Sequence, residues 1–253
     1  MDVDDTIVNL DQLRRSGRSC RPRELYLPGD TGGTDLALLD SLIHDKRPLE
    51  RGETLFRQGD AAPALYVVRA GSLKTFVVDR AGNVQVVGFH LPGEILGMGG
   101  LGRDHYIGTA EAMERATVCE VRYTKLQPLL SQMPALHQQL ARFISRRAEI
   151  DQGHVVMMGK LLAQERLALF LCGFAERCAR AQLDSRNLLL PMSRRDLASY
   201  LGLAMETVSR LFGRLVAEGI LQVECKQVRI LRPDHLASLC NDNQPTLHGD
   251  EAS

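Results

Sequence analysis

Three side chains that can hydrogen-bond to the edges of DNA bases lie within about one turn of a predicted helix: Glu206, Ser209 and Arg210. Their spacing places them on one helix face. Arginine can donate two hydrogen bonds to guanine O6 and N7, glutamate can accept one from cytosine N4, and serine can bond to several bases. The triplet can equally be an exposed helix face with a Glu206–Arg210 ion pair, so the surrounding sequence must decide between the two interpretations.

The sequence around this triplet predicts two helices joined by a sharp turn. Ser193 and Asp196 have the spacing of a capping box, which starts a first helix that runs to Leu201. Gly202 can adopt the positive φ that a sharp turn needs. A second amphipathic helix follows over residues 205–218 and carries the triplet.

Small, glycine and apolar residues recur here at the spacing of a helix-turn-helix. Ala198 and Val208 flank Gly202, so that a small side chain of the first helix faces an apolar side chain of the second. The β-rich pattern over residues 221–230 predicts a hairpin after the second helix. The segment therefore matches a helix-turn-helix followed by a wing.

Charge is unevenly distributed, although the whole chain is neutral with 31 basic and 31 acidic residues. Residues 160–232 contain 12 basic and 7 acidic residues, a net charge of +5, which leaves −5 for the remainder. A local basic module favours a polyanionic partner such as double-stranded DNA, and a chance fluctuation on solvated faces is the alternative. The further candidate DNA contacts are Arg194, Thr207, Arg214 and Lys226.

The N-terminal half alternates short β-rich runs with glycine-containing turns. Glycine turns punctuate the sequence between residues 51 and 83. Short strands at this spacing predict a small antiparallel sandwich or jelly roll. The predicted strands cover residues 54–56, 65–68, 73–78, 84–89 and 117–121.

A helical pattern begins near Ser131, a candidate N-cap, with Pro134 in the first turn. Residues then recur at alternating intervals of three and four, the spacing of one seam of a two-helix coiled coil, although ordinary core packing can produce the same stripe. Asp151 interrupts the stripe, and a carboxylate is tolerated better at a seam that opens than in a permanent core. The stripe consists of Ala141, Ile144, Ala148, Asp151, Val155 and Met158.

Two groups of segments resemble the CRP/FNR family of bacterial transcription regulators. Residues 52–60, 66–74 and 88–94 resemble its cyclic-nucleotide-binding barrel, and residues 200–211 resemble the recognition element of the FNR (fumarate and nitrate reduction regulator) branch. The similarity extends over about residues 47–239. It implies an α+β fold with an N-terminal cyclic-nucleotide-binding-type β jelly roll, a long dimerisation helix and a C-terminal winged helix-turn-helix.

The resemblance also implies a homodimer that binds the palindrome TTGAT-N4-ATCAA through Glu206, Ser209 and Arg210, and that contacts RNA polymerase. In the family, an acidic residue at the place of Asp151 weakens the dimer until a signal arrives. One departure is Ala204, where many relatives place Ser or Thr at the helix N-cap. The expected regions are an N-terminal extension (1–34), a sensor barrel (35–130), a dimerisation helix (131–159), a winged helix-turn-helix (160–235) and a C-terminal tail (236–253).

Cyclic AMP is disfavoured as the effector. Relatives that bind it use a Glu for the ribose and an Arg followed by Ser or Thr for the cyclic phosphate, and the matching positions here are Met98, Thr109 and Ala110. A buried phosphate without an arginine lacks its charged partner. A cyclic-nucleotide-responsive regulator of the same family is nevertheless kept as the alternative function, because the barrel resembles that of the cyclic-nucleotide-binding relatives.

The FNR branch holds a [4Fe–4S] cluster on three N-terminal cysteines spaced C-x2-C-x5-C and one internal cysteine. Cys119 matches the internal ligand, but Cys20 is the only cysteine before it, and two cysteines cannot supply four thiolates. No cofactor and no metal site are therefore predicted. Cys20 could be a redox-sensitive thiol, although a lone cysteine is more often incidental. The other four cysteines are interpreted as small apolar fillers: Cys172, Cys178, Cys225 and Cys240.

Two other function classes fit less well. A metal enzyme on a cupin-like barrel needs clustered ligands, whereas His90 and His105 stand on separate segments. A signalling adaptor that does not bind DNA has no use for a helix-turn-helix. The absence of an apolar run of about 18 residues excludes a membrane span, and six cysteines without an apolar leader indicate the reduced cytoplasm. The predicted function is a transcription regulator, not an enzyme, whose DNA binding is controlled by a signal at the barrel or the long helix.

Overall fold

The computed structural model describes residues 43–241. They belong to two compact units, residues 1–149 and 150–253, and the boundary between the units falls within one long helix. No helix in the described range is both long and apolar enough to cross a membrane. Cys20 and the predicted N-terminal extension lie outside the described residues.

The described part of the first unit is a β-sandwich. Its strands are β1 (Ile43–Asp45), β2 (Thr54–Phe56), β3 (Ala64–Ala70), β4 (Leu73–Val78), β5 (Val84–His90), β6 (Ile95–Leu96), β7 (Thr109–Ala112) and β8 (Thr117–Arg122). They form two antiparallel four-stranded sheets, in the orders β1-β8-β3-β6 and β2-β7-β4-β5. The predicted jelly roll is confirmed, and each of the five predicted runs lies within a strand. The sequence did not separate β6 and β7.

The turn between β3 and β4 shows why the barrel needs glycine at a corner. Gly71 has a φ of 73°, which L-residues with a side chain rarely adopt. A Cβ atom at this position would also collide with the backbone of Arg115 and Ala116. The turn predicted at residues 70–71 is therefore fixed by both conformation and close approach.

The long helix begins later than predicted, and the assignment of Ser131 as its N-cap is wrong. Ser131 lies in the last turn of helix α1 (Tyr123–Gln132), and the long helix α2 spans Pro134–Lys160. Met133 separates them with a non-helical φ of −123° and ψ of 90°. Proline has no N–H and disfavours helical backbone in the residue before it, so Pro134 ends one helix and starts the next.

The second unit contains the end of α2 followed by α3 (Ala163–Arg180), β9 (Asn187–Leu189), α4 (Arg194–Leu201), α5 (Met205–Ala217), β10 (Leu221–Glu224), β11 (Gln227–Ile230) and α6 (Pro233–Asn241). Helices α4 and α5 form the predicted helix-turn-helix. β10 and β11 are the predicted hairpin, and β9 adds a third antiparallel strand beside β11. The core around which these elements pack includes Leu167, Phe174, Leu197 and Leu215, all almost fully buried.

The interpretation of Cys225 as an apolar filler is wrong. It lies exposed in the turn between β10 and β11, with a φ of 55°. Cys178 and Cys240 are buried, as that interpretation requires, and Cys172 is half-buried. Position 225 lies in the two-residue turn of the hairpin, and turns run over the protein surface, so its side chain is exposed.

Candidate nucleic-acid interface

The start of α4 is fixed by the predicted capping box. The Ser193 hydroxyl accepts a hydrogen bond from the backbone N–H of Asp196 at 3.0 Å, and the Asp196 carboxylate accepts one from the backbone N–H of Ser193 at 3.1 Å. Two backbone donors that the helix leaves without partners are thereby satisfied. The cap fixes where the first helix of the motif begins.

The corner between α4 and α5 depends on Gly202. This residue has left-handed backbone angles, φ 62° and ψ 40°. The N–H of Leu203 then bonds to the carbonyl of Ala198 at 3.0 Å, which closes the end of α4. A Cβ at position 202 would collide with the end of the Met158 side chain. Ala198 and Val208 are both buried, which is what a contact between the two helices at these positions requires.

Helix α5 has one buried and one exposed face. Its buried side chains are Val208, Phe212 and Leu215. Glu206, Ser209 and Arg210 are exposed, as 100° per residue requires for positions opposite the buried ones. The guanidinium of Arg210 lies 3.4 Å from the hydroxyl of Thr207, a long hydrogen bond that leaves most of its donors directed to solvent. The three predicted base-contacting residues therefore share one accessible face.

The first turn of α5 begins without a side-chain cap. Ala204 is the N-cap residue, and no side chain accepts a hydrogen bond there. Glu206 lies in this first turn, where its negative charge is attracted to the partial positive charge of the helix N-terminus. The unsatisfied N–H groups and the exposed reading face are consequently at the same end of the helix.

All four further candidates already have partners within the unit. The guanidinium of Arg194 lies 3.6 Å from the centre of the Phe212 ring, and its burial lowers the pKa of this arginine. The ammonium of Lys226 donates to the carbonyl of Pro191 at 2.9 Å. Arg214 pairs with Glu218 at 2.8 Å, four residues further along α5. Thr207, the fourth, is half-buried and carries the contact to Arg210.

Arg166 connects two helix ends, a role that sequence reasoning missed. Its guanidinium donates to the carbonyls of Met158 and Leu161 at 2.9 Å and to that of Leu201 at 3.1 Å. A cation at helix C-termini is favourable because the last carbonyls carry partial negative charge. In the sequence, Arg166 contributed only to the positive charge of the segment, since no local pattern indicates which carbonyls it reaches.

A second contact joins the last turns of α2 to α4. The Nε2 atom of His154 donates to the carbonyl of Tyr200 at 2.8 Å. The two rings also stack, with centres 4.4 Å apart and planes 13° apart. Together with Arg166, these contacts attach the final part of α2 to the first helix of the helix-turn-helix.

The stripe predicted as a dimerisation seam is exposed in the single chain over most of its length. Ala141, Ala148 and Asp151 are exposed, and so are two apolar side chains, Ile144 at 43% and Val155 at 71%. Met158 differs from the other five. It is half-buried, its side chain reaches the corner at Gly202, and its sulfur lies 3.8 Å from the guanidinium of Arg166.

Two of the positions that match the cyclic AMP ligands, Thr109 and Ala110, lie on β7 of the barrel. Ala110 is completely buried, and the hydroxyl of Thr109 accepts a hydrogen bond from the backbone N–H of Gln58 at 3.0 Å. The rings of Phe56 and Tyr106 stack at 3.9 Å in the core. In the part of the chain that the structure describes, the buried polar residues include no lysine or arginine: they are Ser72, His90, Thr109 and Glu120.

Cys119 lies on β8 and is fully buried. Within residues 43–241, no group of three or more His, Cys, Asp or Glu residues is placed to hold a metal ion. His90 hydrogen-bonds to Thr75 at 3.0 Å, whereas His105 is exposed and forms an isolated antiparallel β-bridge with Ala61.

These elements define a class of protein: a winged helix-turn-helix DNA-binding module joined to a cyclic-nucleotide-binding-type barrel. Residues 46–133 match the family model of the cyclic nucleotide-binding domain, and residues 165–239 match that of the Crp-like helix-turn-helix domain. The chain belongs to the CRP/FNR family of transcription regulators, as the resemblance predicted, and resembles its FNR branch. It is a DNA-binding transcription regulator and not an enzyme.

Individual relatives support this assignment. The chain is 40% identical over 222 residues to the transcriptional activator protein FnrA of Stutzerimonas stutzeri, covering 88% of this chain and 91% of that protein. It is 36% identical over 222 residues to the fumarate and nitrate reduction regulatory protein of Escherichia coli strain K12, covering 88% and 89%. Among solved structures, FixK2 from Bradyrhizobium japonicum has a TM-score of 0.72 at 26% identity, covering 78% of this chain and 96% of FixK2.

Proposed function

We propose that the protein acts as a homodimer on the palindrome TTGAT-N4-ATCAA and regulates transcription from that site. The observation that carries this proposal is the exposed face of α5, on which Glu206, Ser209 and Arg210 lie together at the start of the helix. An α-helix fits the major groove, and readers near its N-terminus reach the base edges. Arg210 is assigned to the guanine of TTGAT, and Glu206 and Ser209 to neighbouring bases.

The residues around this face hold the protein on the DNA backbone. Arg194, Thr207, Arg214 and Lys226 surround the reading face in sequence and are assigned to phosphates, which position the protein without discriminating between sequences. Three of them are basic, and residues 160–232 carry a net charge of +5. On binding DNA, Lys226 and Arg214 must exchange their internal partners for phosphate oxygens. The new hydrogen bonds to phosphate are charge-assisted, so they offset the loss of the internal ones.

Dimerisation is assigned to the stripe on α2. A palindrome with half-sites about one helical turn apart requires two-fold symmetry in the protein. The exposed side chains of Ile144 and Val155 gain from burial against the same stripe of a second copy, since apolar area removed from water stabilises an interface. Asp151 of each copy opposes that association by like-charge repulsion. Met158 contributes less directly, because it also contacts Gly202 and Arg166.

The signal does not act through cyclic AMP or a [4Fe–4S] cluster in this proposal. The positions matching the ligands of cyclic AMP carry Met98, Thr109 and Ala110, and the sequence has one cysteine before Cys119 where a cluster requires three. A cyclic-nucleotide-responsive regulator remains the second candidate because residues 46–133 match the cyclic nucleotide-binding family. RNA polymerase is the proposed protein partner, and the cytoplasm the proposed location.

Fluorescence anisotropy with labelled duplexes tests this function. We expect at least a thousandfold preference for the palindrome over a scrambled duplex of the same length at physiological salt, which is typical of specific regulators. A duplex with one half-site should bind much more weakly, and affinity should fall steeply as salt rises, because phosphate contacts release counterions. Equal affinity for the palindrome and the scrambled duplex contradicts the proposed site.

A further inference from the structure

Two cysteines of the DNA-binding unit lie next to each other although they are far apart in sequence. Cys172 lies on α3 and Cys240 on α6, and their Sγ atoms are 3.9 Å apart. This distance is a sulfur–sulfur contact, and a disulfide requires an approach to about 2.05 Å. Disulfide formation therefore requires rotation of the two side chains and a shift of α3 and α6 towards each other.

The two thiols differ in their exposure. Cys172 is half-buried. Cys240 is only 4% exposed and packs beside the buried Leu236. Cys178 lies six residues after Cys172 on α3, so it points to another side of that helix. The pair thus consists of a half-buried thiol, Cys172, and a buried thiol, Cys240.

The hydrogen bond between the two thiols makes them chemically unequal. The sulfur of Cys240 lies 3.5 Å from the carbonyl oxygen of Leu236 and 3.9 Å from the sulfur of Cys172, so its S–H group has two acceptors within reach. A hydrogen bond to Cys172 lowers the pKa of the Cys172 thiol, although burial and the nearby Glu176 oppose the effect. The same hydrogen bond, together with burial, raises the pKa of Cys240. A thiolate is the form that reacts with an oxidant, so Cys172 is the nucleophile and Cys240 the thiol that follows.

We propose that Cys172 and Cys240 are a modification site at which a peroxide forms a reversible disulfide within the DNA-binding unit. The Cys172 thiolate attacks one oxygen of hydrogen peroxide, the O–O bond breaks, and sulfenic acid and hydroxide form. The Cys240 sulfur then attacks the Cys172 sulfur, the S–OH bond breaks, and water leaves with the proton of Cys240. In total, two thiols lose two electrons and two protons, and one peroxide becomes two waters.

The disulfide encloses the whole helix-turn-helix and wing. Its two cysteines are 68 positions apart, and α4, α5 and the hairpin lie between them. A cross-link over a loop of this length restricts the unfolded chain, so the thermal midpoint of the unit should rise by about 10–30 °C. The exposed face of α5 makes no contact with either sulfur, and the modification therefore adds to the proposed DNA binding without depending on it.

Peptide mapping of the wild-type full chain is the direct test. Reduced protein is titrated with hydrogen peroxide, remaining thiols are alkylated, and the protein is digested with trypsin without reductant. Trypsin cuts after Arg166, Arg177 and Arg229 but not at Arg232–Pro233, so each of the six cysteines falls in a separate peptide. We expect the peptide 167–177 linked to 230–253, the loss of two thiols per chain, and full reversal by dithiothreitol.

Variants separate the pair from the other cysteines. Cys172→Ser and Cys240→Ser should each abolish the linked peptide and the rise in thermal midpoint, whereas the matched control Cys178→Ser, on the same helix, should keep both. Oxidation of Cys172 to sulfinic acid without a link to Cys240, or a linked peptide that contains another cysteine, overturns the proposal. Because the wild-type map needs no substitution, the test holds even if a serine variant fails to fold.

Discussion

Replacing Arg166 by methionine should destabilise the DNA-binding unit by about 3 kcal/mol. The substitution removes three hydrogen bonds, to the carbonyls of Met158, Leu161 and Leu201. Hydrogen bonds from a charged donor contribute about 1.5–3 kcal/mol each. Their sum is an upper limit, because the three bonds share one half-buried group and their contributions are not additive. For a unit of this size the loss corresponds to a fall in melting temperature of roughly 12–24 °C.

Urea denaturation followed by circular dichroism measures this loss. Arg166→Lys should give an intermediate free energy of unfolding, since an ammonium keeps the charge but cannot hold the same three acceptors in a planar fork. Arg180→Met is the matched control, because Arg180 is exposed at the end of the same helix and its loss should cost less than about 1 kcal/mol. An Arg166→Met protein within about 0.5 kcal/mol of wild type refutes the role assigned to this residue.

Three further predictions concern the dimer, the signal and the start of α5. Ile144→Glu places an unpaired charge in the seam and should abolish the dimer in analytical ultracentrifugation; a full dimer would place the interface elsewhere. Asp151→Ala removes like-charge repulsion and should tighten the dimer; an unchanged dimerisation constant contradicts this role of Asp151. Anaerobically purified wild type should contain no stoichiometric iron or acid-labile sulfide, and four irons per chain would contradict the absence of a cluster. Ala204→Ser supplies the missing N-cap and should raise the free energy of unfolding by about 1 kcal/mol in urea denaturation; no gain would mean that water already satisfies those N–H groups.

The helix-turn-helix could be predicted almost to the residue because its signals are local. Ser193 caps through Asp196, three residues later, and Gly202 adopts the left-handed conformation that its type allows. The exposure of Glu206 and the burial of Val208 follow from helical periodicity alone. In the barrel, strands of six or seven residues between glycine turns were predicted for the same reason, whereas the two-residue β6 was not.

Features that depend on contacts between distant residues could not be predicted. The carbonyls that Arg166 reaches include that of Leu201, 35 positions away, and Cys172 meets Cys240 at a separation of 68. No periodicity or local motif encodes such pairs. The break at Met133 is different, because Pro134 signals it in the sequence. The steric effect of proline on the preceding residue determines where the long helix starts, and the potential of Ser131 to act as an N-cap does not.

The most direct test of the central claim is a double-mutant cycle between Arg210 and the guanine of TTGAT. Anisotropy titrations compare wild type and Arg210→Ala on the palindrome and on a palindrome in which that base pair is replaced in both half-sites. Each single change should cost about 1–3 kcal/mol per half-site, and the second change should cost little once the first is made, because the contact is already lost. Full additivity of the two costs, with Arg210→Ala weakening scrambled DNA to the same extent as the palindrome, would contradict base recognition by this face of α5.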